Sequence, residues 1–306
     1  MMNRRRFLEI AAAAATLPRL SAQSEFPWGG PVLDIHLHPR RAPDTCFAHI
    51  EGSGVTKAVL LTNVRDQDRA KGEIAAHPDR FVWFAATDPS QPGGVEQIRK
   101  ALEGGAIGIG EVKTHLTADS KDMHRLYDLA AEMNVPITIH FQEVIHFPGE
   151  GNFNEGYRNF DKILKAHRKT TFIGHADFFW ANISADVPMD NGYPEGKVKP
   201  GGLTDKWLSD YPNLYGDMSA NSGNNALSRD PDFMRGFIVR HQTKLMFGCD
   251  CSCKDGHGTG GSPILPRLKG KCVARDTLEL CKGLTTPEVF RKITWDNGIK
   301  LLKIPT

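Results

Sequence analysis

Short apolar runs recur along the chain, and each is followed by a stretch whose apolar positions return every three to four residues. The runs predict strands over residues 32–36, 57–62, 81–87, 106–113, 136–140, 171–175, 214–219 and 244–247. The intervening periodicity predicts helices over 66–76, 94–103, 120–133, 160–166, 203–211 and 231–240. Eight strands in strand-then-helix order imply a parallel sheet covered by helices, and the 306 residues suit a single (β/α)8 TIM barrel of about 250 residues with insertions. An open doubly wound sheet is the competing arrangement, but no Gly-x-Gly-x-x-Gly turn follows the first strand. The longest irregular stretch, 178–202, follows strand six. In a barrel it lies at the C-terminal mouth, where the loops build sites.

Polar residues stand where these strands end. Strand one runs into His36-Leu37-His38-Pro39, and side chains two apart on a strand share a face, about 7 Å from each other along it. Imidazole pairs of this kind suit a zinc-like ion. Strand four carries Glu111 and Lys113, and simple alternation puts both on one face with Ile107 and Ile109. A carboxylate there needs a cation, since burying it unpaired costs several kcal/mol. Strands five and six end in His140 and His175, and strand eight runs into Gly248-Cys249-Asp250. A metal site at the mouth of the barrel is the expectation, with a salt-bridged Glu111 and Lys113 and satisfied core histidines as the bland alternative.

Asp-Ile-His-Leu-His at 34–38, Gly-Glu-Val-Lys at 110–113, Ile-His at 139–140, Ile-Gly-His at 173–175, Met-Phe-Gly-Cys-Asp at 246–250 and Ile-Thr-Trp-Asp-Asn at 293–297 together resemble the amidohydrolase superfamily, in its amidohydrolase-related branch. The resemblance spans the chain beyond the N-terminal segment; Gly-Cys-Asp stands where Gly-Ser-Asp is commoner. It implies one or two divalent ions held by His36, His38, His140, His175 and Asp250. Glu111, or a carbamylated Lys113, would be the strand-four ligand. Zinc is favoured, and manganese, iron and cobalt also suit this nitrogen and oxygen donor set. Such an ion lowers the pKa of bound water to about 7 and polarises a carbonyl. Asp250 is then the expected proton carrier and Lys113 a catalytic or substrate-holding cation, giving hydrolysis of an amide, ester or lactone of a small molecule. A metal-dependent decarboxylase of an aromatic or unsaturated acid, a deoxyribonuclease-like phosphodiesterase and a non-catalytic exported binding protein are the alternatives. Phe178, Trp180 and His257 are candidate substrate contacts, with His115 and His146 as mouth-side loop residues. Trp295 to Asn297 reads as a packing anchor.

Composition narrows the picture. With 40% hydrophobic and 24% charged residues the chain reads as a globular domain, and no apolar run beyond the N-terminus reaches the ~20 residues of a membrane span. Residues 1–22, with Arg4-Arg5-Arg6-Phe7-Leu8 before an alanine-rich run, resemble a twin-arginine signal, implying export machinery as a partner and a periplasmic or extracellular destination. Residues 23–306 then form one domain. Four arginines and one glutamate leave with the signal, taking the net charge from +2 to −1, so no nucleic-acid partner is expected. In an oxidising compartment the six cysteines could pair in 15 ways. The Cys-x-Cys spacing of Cys249, Cys251 and Cys253 departs from the Cys-x-x-Cys pairs of zinc ribbons, which argues against a structural zinc site. The expectation is a disulfide from Cys251 or Cys253 to Cys272.

Overall fold

The computed structural model describes residues 26–188 and 190–305; the signal-peptide expectation for residues 1–22 lies outside them. Eight parallel strands follow one another around a single sheet in chain order: β1 (Leu33–Leu37), β2 (Lys57–Asn63), β3 (Phe81–Ala86), β4 (Ile109–Val112), β5 (Pro136–His140), β6 (Thr171–His175), β7 (Leu214–Asp217) and β8 (Leu245–Met246). Backbone hydrogen bonds from Ile35 N to Phe247 O (3.1 Å) and from Asp250 N to His36 O (2.7 Å) bring the end of β8 back to β1. This is the (β/α)8 barrel that the strand count implies.

The helices outside it are α1 (Thr45–Ser53), α2 (Gln67–Ala76), α3 (Gly94–Glu103), α4 (Lys121–Glu132), α5 (Phe160–Ala166), α6 (Asp177–Ala181), α7 (Leu203–Asp210), α8 (Ala220–Arg229), α9 (Pro231–His241), α10 (Val273–Leu284), α11 (Pro287–Arg291) and α12 (Asn297–Leu302). Their starts follow local chemistry. The Ser120 hydroxyl accepts from Met123 N at α4, Asp230 from Phe233 N at α9, and Thr286 from Val289 N at α11, while Pro231 and Pro287 occupy first-turn positions that need no N–H. Periodicity does not reveal α1, because its buried face carries Cys46, His49 and Ser53 beside Ile50. Nor does it reveal α8, a polar helix buried through Asn224, whose amide donates to Asp276 (3.0 Å) and Thr277 (2.9 Å). Among the described residues, no helix is long and apolar enough to cross a membrane.

The apolar core has two layers. Outward-facing strand residues such as Leu60, Trp83, Ile137 and Leu245 pack under the helices, and Leu33, Ile35, Val59, Leu61, Phe84, Ile173 and Met246 fill the lumen. Trp295, in a π-helical turn over Lys292–Asp296, joins the lumenal layer, and Asn297 Nδ2 donates to Gln242 O and Leu245 O. The apolar filling stops short of the mouth, so polar side chains occupy the C-terminal ends of the strands.

Two register shifts aim those side chains. Asp34 and Leu37 of β1 align with Ala58 and Leu60 of β2, three residues' advance against two, and Ile109 and Val112 of β4 align with Ile137 and Ile139 of β5 in the same way. Leu37, Ile109 and Val112 therefore all join the outer layer, while His36 and Glu111 turn inward. Strict alternation along strand four, which groups Ile109 with Glu111, is thus corrected by a bulge, the usual device for re-aiming a side chain beside a site.

Candidate metal centre

Six strand-end residues converge at the mouth. His36 and His38 from β1, Glu111 from β4, His140 from β5, His175 from β6 and Asp250 just beyond β8 form overlapping groups whose ligand atoms lie within 4.8 Å of one another. The Glu111 carboxylate is at the centre. Its Oε2 lies 3.4 Å from His38 Nε2 and 4.0 Å from His36 Nε2, and its Oε1 lies 3.2 Å from His175 Nε2 and in close contact with His140 Nδ1. Asp250 Oδ1 stands 3.5 Å from His38 Nε2.

The far side of each ring decides which nitrogen is free. His36 Nδ1 donates to Asp217 Oδ2 at 2.6 Å, and His38 Nδ1 donates to Leu61 O at 2.9 Å. His175 Nδ1 donates to Ser219 Oγ at 2.9 Å, with Asp217 Oδ2 a further 3.2 Å neighbour. In the neutral ring that a metal requires, each acceptor fixes the proton on Nδ1 and leaves an Nε2 lone pair facing Glu111. His140 is reversed: its Nε2 donates to Gln142 Oε1 at 2.9 Å, so Nδ1 is the free nitrogen. His175 Nε2 is fully buried and has no hydrogen-bond partner. An orphaned imidazole nitrogen aimed at a carboxylate fits a cation between them, so the residues present suit a divalent metal.

Electrostatics agree. Burial opposes protonation of His175 and His38, yet hydrogen bonds and charge from Asp217, Glu111 and Asp250 hold them up to about 10 and about 9. Burial also works against ionised Glu111, but the surrounding histidines outweigh it and hold its carboxyl well below the usual range. Asp217 is likewise held low, against its burial, by His36 and His175. The protons that His38 and His175 hold beside the buried carboxylates stand where the positive charge of a bound cation would stand.

The remaining expectations divide. Lys113 is at the rim, its Nζ 3.7 Å from Glu150 Oε1 and 4.5 Å from the centre of the Phe153 ring, so the bulge gives the central position to Glu111. Glu150 in turn accepts from Gln142 Nε2 (2.9 Å), which orients His140. Phe178 and Trp180 do not line the mouth; both are buried in α6, and Trp180 Nε1 donates to Asp217 O at 2.8 Å. They follow His175 too closely to turn back toward the lumen and pack beneath the helices instead. His257 is exposed in a loop against α1, where its Nε2 approaches Gly52. His146 does reach the mouth side, its Nε2 3.3 Å from Asp177 Oδ2, while His115 stacks on Phe153. Sequence reasoning missed Asp217, Ser219, Gln142 and Glu150. Only Asp217, at the inward end of β7, had a readable signal, the same strand-end position as the histidines.

No protein-family model and no curated protein sequence matches the chain. Solved structures do. A probable 2-pyrone-4,6-dicarboxylic acid hydrolase from Acinetobacter baumannii, crystallised with citric acid, superposes with a TM-score of 0.57 at 12% identity, covering 90% of this chain and 100% of that one. Dihydroorotase from Campylobacter jejuni gives 0.55 at 16% identity, covering 90% and 84%. A 2,6-dihydroxybenzoate decarboxylase from Rhizobium gives 0.51 at 13% identity, covering 89% and 98%. What the chain shares with them is the fold.

Proposed function

We propose that this protein is a metal-dependent hydrolase of the amidohydrolase type, acting on an amide, ester or lactone of a small molecule. The observation that carries it is the convergence of four imidazole lone pairs on Glu111, each ring held by a hydrogen bond on its other nitrogen. His36, His38, His140, His175, Glu111 and Asp250 would hold the ion or ions. Bound there, a divalent metal supplies a nucleophilic water at neutral pH and polarises the substrate carbonyl. Asp217 and Ser219 hold His36 and His175 in the required tautomer, and Gln142 does so for His140. Asp250, about 30% exposed at its side chain, is placed to accept the proton of the attacking water and return it to the leaving group. The apolar lumen floor and the buried strand ends keep bulk water from the far side of the ligands.

One observation favours decarboxylation as a second reading: the donors crowd around a single carboxylate, an arrangement compact enough for one ion. The barrel is also shared with a 2,6-dihydroxybenzoate decarboxylase. Elemental analysis of wild type and Glu111→Gln separates the two. Near two mouth-site equivalents, counted in a Cys253→Ser background so that thiol-bound metal does not contribute, falling to one or less when Glu111→Gln is added, supports two ions held with Glu111 and hydrolysis. One mouth-site equivalent in both gives decarboxylation the stronger case, tested by carbon dioxide release from aromatic acids. No mouth-site metal after reconstitution would overturn both. The arginine pair near the N-terminus supports export of the folded, metal-loaded protein as part of the same reading.

A further inference from the structure

Behind β1, on the side away from the lumen, three sulfurs and an imidazole share one buried space. Cys251 Sγ lies 3.3 Å from Cys253 Sγ and 3.8 Å from Cys272 Sγ, and His49 Nδ1 lies 3.4 Å from Cys253 Sγ. All four ligand atoms fall within 4.8 Å of one another, and the residues are 0–5% exposed. We propose that His49, Cys251, Cys253 and Cys272 form a second metal site, a buried Cys3His centre for one thiophilic divalent ion such as zinc.

The spacing is that of a single tetrahedron. Zn–S bonds of about 2.3 Å and Zn–N bonds of about 2.0–2.1 Å at tetrahedral angles separate neighbouring ligand atoms by about 3.5–3.8 Å. The contacts here, 3.3–3.8 Å, reach from just below that range to its upper end, and an iron–sulfur cluster would need its cysteines much farther apart. The surroundings suit thiolates. The Arg40 guanidinium donates to the carbonyls of Cys251 (2.6 Å) and Cys253, placing a positive charge beside the excess negative charge of three thiolates and a divalent ion. The free edge of His49, Nε2, faces Cys249 Sγ at 3.7 Å, and Cys249 N donates to Asp34. The ring thus has a fixed outer neighbour, as liganding histidines usually do.

The proposal departs from the sequence expectation twice. All six cysteines are free, and a bond from Cys251 or Cys253 to Cys272 would pair two sulfurs while leaving a third, with the His49 ring, packed against it and unsatisfied. The Cys-x-Cys spacing misleads because two of the four ligands come from α1 and from the cap of α10, far away in sequence. The centre joins those helices to the loop after β8, which already presses bare backbone on α1: a Cβ on Gly52 would sit 1.9 Å from Asp255 O, and one on Gly256 2.2 Å from Ser53 N. Cys251 directly follows Asp250. The ion therefore clamps the segment that carries Asp250 to the mouth.

The test is cobalt substitution of the full-length chain, stripped with chelator under reductant and reloaded. Thiolate ligation gives an intense sulfur-to-cobalt charge-transfer band in the near ultraviolet, which the nitrogen and oxygen donors of the mouth cannot produce. The expected band persists in His36→Ala, which disables the mouth site, and is lost or sharply reduced in Cys253→Ser and Cys272→Ser. Thiol counting on denatured, unreduced protein should find six. A cobalt-loaded wild type without the band, a band unchanged by both serine variants, or four thiols in place of six would overturn the proposal. If the serine variants fail to fold, the wild-type spectrum and thiol count decide.

Discussion

Asp217→Asn is the sharpest probe of the mouth. The carboxylate is fully buried, accepts from His36 Nδ1 at 2.6 Å and from the Ser219 hydroxyl at 2.8 Å through Oδ2, and from Ser219 N at 3.0 Å through Oδ1. An asparagine of the same shape keeps the Ser219 N–H bond with its oxygen and so turns its NH2 toward His36 and His175. The His36 proton must then leave Nδ1 for Nε2, the nitrogen aimed at Glu111, and the lone pair needed by the ion is lost. Losing one such outer hydrogen bond lowers metal affinity about 10–100-fold. Two rings share this acceptor, so their losses do not add fully, and the expected cost is about 2–4 kcal/mol, or about 30- to 700-fold in affinity. Competition against a fluorescent zinc chelator measures it, with circular dichroism confirming an intact fold. Affinity within threefold of wild type in a folded variant would refute the claim that Asp217 sets the ligand tautomers.

Three other outcomes follow from the same geometry. His38 and His175 are held protonated to about pH 9 and 10, so an ion entering at neutral pH must displace protons; affinity should rise from pH 7 to about 9 with on the order of one to two protons released. Calorimetry in buffers of different ionisation enthalpy checks this, and a pH-independent affinity would contradict it. Asp250→Asn should retain metal at the mouth through His36, His38, Glu111, His140 and His175 while turnover on a responsive substrate falls about 10²–10⁴-fold, the range for a lost proton carrier; near-normal turnover in the metal-loaded variant would remove Asp250 from that role. A Cβ at Gly174 would sit 2.1 Å from the buried Phe179 ring, so Gly174→Ala should cost about 1–3 kcal/mol, seen as a lowered melting temperature. An unchanged melting temperature would show that the ring has room to shift.

The amino-acid pattern by itself determined the barrel and most of the candidate ligands at its mouth. Eight apolar runs in strand-then-helix order leave few arrangements that bury every strand, and parallel strands deliver their C-terminal residues to one mouth; His36, His38, His140, His175 and Asp250 were legible for that reason. Tertiary structure decided what a two-residue period cannot carry. A bulge in β4 chose Glu111 over Lys113 for the centre, because register depends on the partner strand. Asp217 and Ser219 enter the candidate site only by lying within hydrogen-bond reach of rings from other strands, and Gln142 by turning back onto His140. The thiol cluster is the extreme case. Cys251 and Cys253 are neighbours in sequence, but His49 and Cys272 reach them only because α1 and the start of α10 pack against the loop after β8, and no local spacing records that packing.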